Sequence, residues 1–218
     1  MTQAQLPALI FDCDGVLIDS EWLASRVEGE LVSALGVPLS TEGAHDLFLG
    51  KTVEGVLEVI AARTGTRPTA GWVYNWAFAT AHAFMKELQP MPGIAQSLEA
   101  LSRRGHRMAV ASQSPLARVH LSLEATKLAR FFGENVFVTS MVPCPKPAPD
   151  IYLLAANRLH ATPAHCVVIE DSPAGAAAAL AAGMRVIGYA PGDTAAAMRA
   201  AGAEVVSHMD ELPRLIPG

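Results

Sequence analysis

Six short runs of apolar, largely β-branched residues recur along the chain: Ala8–Phe11, Arg107–Ala111, Val136–Thr139, Cys166–Ile169, Arg185–Tyr189 and Glu204–Val206. Their apolar character is continuous rather than alternating, which suits strands buried on both faces, as in a parallel sheet. Between them lie stretches with helical periodicity, at Ile94–Arg103, Leu116–Arg130, Asp150–Leu159, Ala174–Ala182 and Thr194–Ala200. Strand–helix alternation of this kind predicts an α/β fold built on a doubly wound parallel sheet.

One segment breaks the alternation. Between Glu21 and Leu88 no run reads as a strand, whereas Trp22–Leu35, Thr41–Leu49, Val53–Arg63 and Gly71–Glu87 carry the helical period. Gly36, Gly50 and Gly65 fall where those helices should end. A compact α/β core does not need a crossover of this length. Residues 20–89 are therefore expected to form an inserted all-α helical cap domain, and residues 1–19 and 90–218 the α/β catalytic core.

Composition narrows the function. Hydrophobic residues make up 51% of the 218 and charged ones 17%, enough to bury a large core. A net charge of −5 argues against a nucleic-acid partner. No apolar run is long enough to span a membrane, and the N-terminus lacks the basic and apolar regions of a signal peptide. Cys13, Cys144 and Cys166 are sparse and unpaired in spacing, which fits a reducing compartment. The expectation is a cytoplasmic, monomeric protein acting on a small molecule.

Four places carry chemistry, and each follows a strand or lies in a loop beyond one, the edge where open α/β sheets bind ligands. They are Asp12-Cys13-Asp14-Gly15, Ser112-Gln113-Ser114, Pro145-Lys146-Pro147 and Glu170-Asp171-Ser172. Taken singly, each has an ordinary reading: an acidic loop, helix capping by Ser112 or Ser114, a rigid surface loop with a solvated lysine, and acids on a helix dipole. Together they bring Asp12, Asp14, Glu170 and Asp171 to one sheet edge. Like charges ~4 Å apart repel by a few kcal/mol even at an effective dielectric of ~20. A lysine and a divalent cation are the natural compensation, and oxygen-only ligands favour Mg²⁺ over zinc.

These residues, in this order, resemble the four motifs of the haloacid dehalogenase superfamily. The run Phe11-Asp12-Cys13-Asp14-Gly15-Val16-Leu17-Ile18-Asp19-Ser20-Glu21 is similar to the opening of its β-phosphoglucomutase-like branch. The resemblance implies that Asp12 is the nucleophile and forms an aspartyl-phosphate, with Asp14 as general acid and base. It implies that Ser112, the backbone around Gln113, and Lys146 bind the phosphate, and that Asp12, Asp14, Glu170 and Asp171 hold Mg²⁺. Lys51 and Glu21 are candidate substrate contacts in the cap, where His45, Trp76 and His82 also offer polar or aromatic groups. Pro145 stands where the family usually has glycine. Ala24 stands where mutases of this branch carry histidine, and Val53 where they carry arginine. Both losses favour hydrolysis of a small phosphorylated metabolite, such as a sugar or sugar-acid phosphate. The alternatives are a β-phosphoglucomutase-like phosphoryl shuttle and a signalling module phosphorylated on an aspartate.

Two patterns mislead. Gly50-Lys51-Thr52 imitates a P-loop, but His45 occupies the position of its first glycine and no strand precedes it. The seven histidines lack zinc-ligand spacing.

Overall fold

A computed structural model describes residues 6–216. By internal contacts the chain divides into two compact units, residues 1–18 with 90–218, and residues 19–89. Asp19, expected at the end of the core, is the first residue of the second unit.

In chain order the first unit contributes β1 (Ala8–Phe11) before the chain passes through β2 (Ile18–Asp19) into the second unit. That unit holds α1 (Glu21–Ser33), α2 (Thr41–Phe48), α3 (Val53–Thr64) and α4 (Ala70–Glu87). The chain leaves it through β3 (Gln89–Pro90), which pairs with β2 as a two-stranded ribbon. The first unit then continues with α5 (Ile94–Arg103), β4 (Met108–Ser112), α6 (Leu116–Ala125), β5 (Val136–Val138) and α7 (Asp150–Arg158). It closes with β6 (Cys166–Glu170), α8 (Pro173–Ala181), β7 (Arg185–Tyr189), α9 (Ala195–Ala200), β8 (Glu204–Val206) and α10 (Leu212–Leu215).

The main sheet has six strands in the order β5-β4-β1-β6-β7-β8, and its paired strands run parallel. Successive strands are laid down on one side of β1 and then on the other, so the order reverses at β1. Phe11 is level with Val110 of β4 and with Ile169 of β6. One residue further on, Asp12, Ala111 and Glu170 stand at the same height on three adjacent strands. Register alone thus brings two of the four motifs and the start of a third to the crevice where doubly wound folds bind ligands.

Both faces of the central strands are covered, as their unbroken apolar runs require. Ala8 and Ile10 of β1 pack with Ala109 and Ala111 of β4 against Ile151, Tyr152 and Ala155 of α7 and Ala176 and Ala179 of α8. Phe11 alternates to the other side and meets Phe132 edge-on, with ring centroids 5.9 Å apart.

The one substantial departure from the expected helices is α6, which stops at Ala125 instead of reaching Arg130. Lys127 takes a left-handed φ of 60°, and the Leu128 amide reaches back to the Leu123 carbonyl, leaving Leu128 1% exposed. Burying Leu128 turns the chain, and a 3-10 turn at Ala129–Phe131 follows. Such a reversal is invisible to periodicity, because no glycine marks it.

The second unit has a core of its own, in which Val32, Ala44, Phe48, Val56 and Ile60 pack with Trp72 and Trp76 at its margin. Ser40, Thr52 and Thr69 cap α2, α3 and α4 by accepting from the amides of Gly43, Gly55 and Trp72. Gly65 ends α3 with a φ of 73°, a conformation that glycine enters at no steric cost.

Candidate active site

The site is organised around Lys146. Its ammonium donates to Asp12 Oδ1 at 2.6 Å, Glu170 Oε1 at 2.6 Å and the Ala111 carbonyl at 3.1 Å, so each of its three protons has an acceptor. The side chain is 1% exposed, and its charge lies 4.8 Å from the centre of the Tyr152 ring. Burial on its own would strip a lysine of its proton; the carboxylates of Asp12 and Glu170 outweigh it and hold Lys146 well above the ordinary lysine range. This is not the solvated loop lysine that the flanking prolines could also have presented. The Lys146–Pro147 peptide is cis.

Glu170 is saturated. Oε1 accepts from Lys146 and from the Tyr152 hydroxyl at 2.9 Å. Oε2 accepts from the amides of Asp171 at 3.0 Å and Ser172 at 2.8 Å, and from the Ser172 hydroxyl at 2.8 Å. Burial pushes its proton affinity up, but Lys146 and these donors prevail and hold it below the usual glutamate range. Ser172 also caps α8, accepting from Gly175 at 3.1 Å. A Cβ on Gly175 would lie 1.7 Å from Glu170 Oε1, so only glycine lets the helix start here.

Asp12 follows β1, its amide donating to Ile169 at 2.9 Å, and it is 8% exposed. Burial raises its carboxyl to about 7 against the pull of Lys146, with Glu170 and Asp14 adding to the rise. Beyond it the chain turns sharply at Gly15, whose φ is 75°. A Cβ there would meet Asp171 Oδ2 at 2.0 Å, so the Asp171 carboxylate nests directly against the nucleophile loop. Asp14 is held from the start of α6: the Ser114 hydroxyl donates to Oδ2 at 2.7 Å and Arg118 Nη2 to Oδ1 at 3.1 Å.

Ser112 ends β4, is 1% exposed, and accepts from the Ser114 amide at 3.0 Å. Neither serine caps α6, whose N-cap is Pro115 without a side-chain bond. The helix therefore begins with amides open to an anion. Gln113 is exposed, and its carbonyl accepts from Thr139.

The expected metal ligands divide. Lys146 already meets Asp12 and Glu170, and Arg118 meets Asp14, while Asp171 lies against the nucleophile loop at Gly15. Among the described residues no three acidic, imidazole or thiol side chains are drawn together as a ready metal cage. Mg²⁺ does not need one, since it commonly takes one or two carboxylates and fills its remaining positions with water and substrate phosphate. Asp12 and Asp171 suit that role. Glu170 suits it poorly as a direct ligand, because five donors already occupy its two oxygens. Its contacts make it the anchor of Lys146.

Lys51 and Glu21 belong to the second unit. Lys51 is exposed between α2 and α3, and Glu21 opens α1. His45 stacks on Trp22 at 4.5 Å, His82 stacks on Phe78, and Trp76 packs on Trp72. Ser114, expected as part of the second motif or as a helix cap, instead holds Asp14, and two further residues that touch the site were not anticipated: Arg118 and Tyr152. An arginine on a helix and a tyrosine in an apolar stretch have commonplace surface and core readings, and only the fold gives them partners.

The sequence profile of the haloacid dehalogenase-like hydrolases matches residues 6–183. Hexitol phosphatase B of Escherichia coli K12 is 34% identical over 188 residues, covering 85% of this chain and 84% of that protein. A phosphorylated carbohydrates phosphatase of Thermotoga maritima is 31% identical, covering 84% of each chain. The crystal structure of a haloacid dehalogenase family hydrolase from Deinococcus radiodurans R1, with bound phosphate and sodium, is 34% identical. It superposes with a TM-score of 0.81 over 96% of this chain and 94% of that one.

Proposed function

The chain belongs to the haloacid dehalogenase-like hydrolases, and from that membership we propose that it is a Mg²⁺-dependent phosphatase of sugar or sugar-derived phosphates that works through a phosphoaspartate on Asp12. Hydrolysis of phosphate monoesters is the activity its named relatives share. The observation that carries the mechanism is the placement of Asp12 beside a buried ammonium, with Asp14 two residues along the same loop.

In the first step the ionised Asp12 carboxylate attacks phosphorus. The bond from phosphorus to the ester oxygen breaks, and that oxygen takes the Asp14 proton, so a neutral alcohol departs. In the second step Asp14, now a carboxylate, removes a proton from water. The resulting hydroxide attacks phosphorus, the bond from phosphorus to Asp12 breaks, and inorganic phosphate leaves with the Asp12 carboxylate and the Asp14 acid restored. Lys146 and the amides at the start of α6 would hold the oxygens around phosphorus, where preorganised donors are most effective. Asp12, Asp171 and the backbone carbonyl of Asp14 would hold Mg²⁺, which when bound would supply positive charge to offset the repulsion of carboxylate and phosphate.

The test is phosphate release from a panel of phosphorylated sugars, polyols and sugar acids, with Mg²⁺ or with EDTA, for wild type and Asp12→Asn. Release that needs Mg²⁺ and disappears in the variant is the expected result. Wild-type conversion of β-glucose 1-phosphate to the 6-phosphate without free phosphate would replace the reading with a phosphoryl shuttle. No turnover of any ester would sink both.

A further inference from the structure

We propose that Arg118, together with the Ser114 hydroxyl, is the positioning device that fixes Asp14 for its two proton transfers and leaves Oδ2 as the oxygen that carries the proton. The inference rests on the reading of Asp14 as acid and base. Both Asp14 oxygens are engaged from one short stretch of chain: Ser114 lies in the turn before Pro115, the N-cap of α6, and Arg118 is in the first turn of that helix.

Their chemistries differ usefully. A guanidinium has no lone pair and keeps its charge at any working pH, so the oxygen it faces can only accept. In the neutral acid the carbonyl oxygen is the better acceptor for that cation, so the proton is favoured on Oδ2. A serine hydroxyl can donate to a carboxylate and can rotate to accept from a carboxylic acid, so Oδ2 can be satisfied in both states. When the alcohol leaves, the carboxylate just formed must stay in place while water enters. Arg118 holds it through that interval without exchanging a proton.

Stability gives no adequate account of the contact. The two side chains are 36% and 27% exposed, and ion pairs this open contribute from nothing to about 1 kcal/mol. Orientation of a reacting group is worth far more, since misplacement by about 1 Å can cost a hundredfold in rate.

The experiment compares kcat/KM for the fastest sugar phosphate of the panel with that for 4-nitrophenyl phosphate. The nitrophenolate leaves without help from an acid, and kcat/KM reports only steps up to its departure. Arg118→Ala should lower kcat/KM for the sugar ester by about 10–100-fold, a typical share for acid catalysis, and for the aryl ester by less than about threefold. Ser114→Ala should show the same selectivity and serves if Arg118→Ala does not melt as a folded protein. Asp14→Asn is the reference. If it loses both esters equally, Asp14 is not the acid and the underlying reading fails. If it is selective while the Arg118 and Ser114 variants lose both esters equally, or neither, the positioning role is overturned and the reading of Asp14 survives.

Discussion

Burial raises the Asp12 carboxyl to about 7, so the ionised form that the chemistry needs is the form the folded chain favours less. An unfolded aspartate titrates near 3.9, at least three pH units lower. The folded chain therefore binds more protons between those values, so the stability cost of ionising Asp12 is absent below about pH 4, grows as pH rises, and is complete above about pH 7. Asparagine imitates the neutral acid. Asp12→Asn is expected to abolish turnover and to remove the loss of Tm that Asp12 contributes between about pH 4 and pH 7 in the metal-free protein; the same pH dependence in the variant counts against a strained nucleophile. Glu170→Gln is expected to destabilise the protein across that range, leaving Lys146 buried with one carboxylate fewer and five donors facing a neutral amide. A loss of the order of 3 kcal/mol in a denaturant titration is expected, accompanied by a fall in kcat. Asp12, Asp14 and Glu170 were legible as residue types at strand ends, and Lys146 as the one lysine set between prolines in a loop beyond a strand. The job of Glu170 was not, because it depends on the chain turning its own amides at 171 and 172 back onto the carboxylate.

Among the elements, strands were read within a residue or so of their ends wherever the apolar run was continuous, because burial on both faces leaves no polar position to blur them. The two-residue strands Ile18–Asp19 and Gln89–Pro90 carry no such signal and escaped notice. Helix α8 shows how local a constraint can be. Its first turn lies on Glu170, and a methyl group at Gly175 would collide with the carboxylate that anchors Lys146. Gly175→Ala is therefore expected to cost about 1–3 kcal/mol from overpacking and to lower kcat, although alanine favours helix elsewhere. A Tm equal to wild type would mean that the helix can slide away from Glu170 at no cost.

For the whole molecule, the two units differ in what they bury. The sheet unit encloses strands lined on both sides by side chains, whereas the helical unit packs helices around one cluster that includes Val32, Ala44, Phe48, Val56 and Ile60. Local opening should follow that difference. Hydrogen exchange is expected to be slowest at the amides of Leu9 and Val110 in the central strands and faster throughout α2 and α3. Equal protection would show that the chain opens only as one cooperative body.

The position of β1 also has a meaning for the order in which the molecule is made. The strand leading to the nucleophile is made before either of its neighbours, residues 108–112 and 166–170. When residue 89 has been added, every partner of the helical unit's core exists, while β1 has nothing to pair with. A nascent chain can thus complete its insertion before its host, and Asp12 waits in the open until about eighty further residues have been translated. Only when Glu170 emerges can the charge of Lys146 be fully matched, so the capacity for catalysis arrives with the strand that gives β1 its second neighbour.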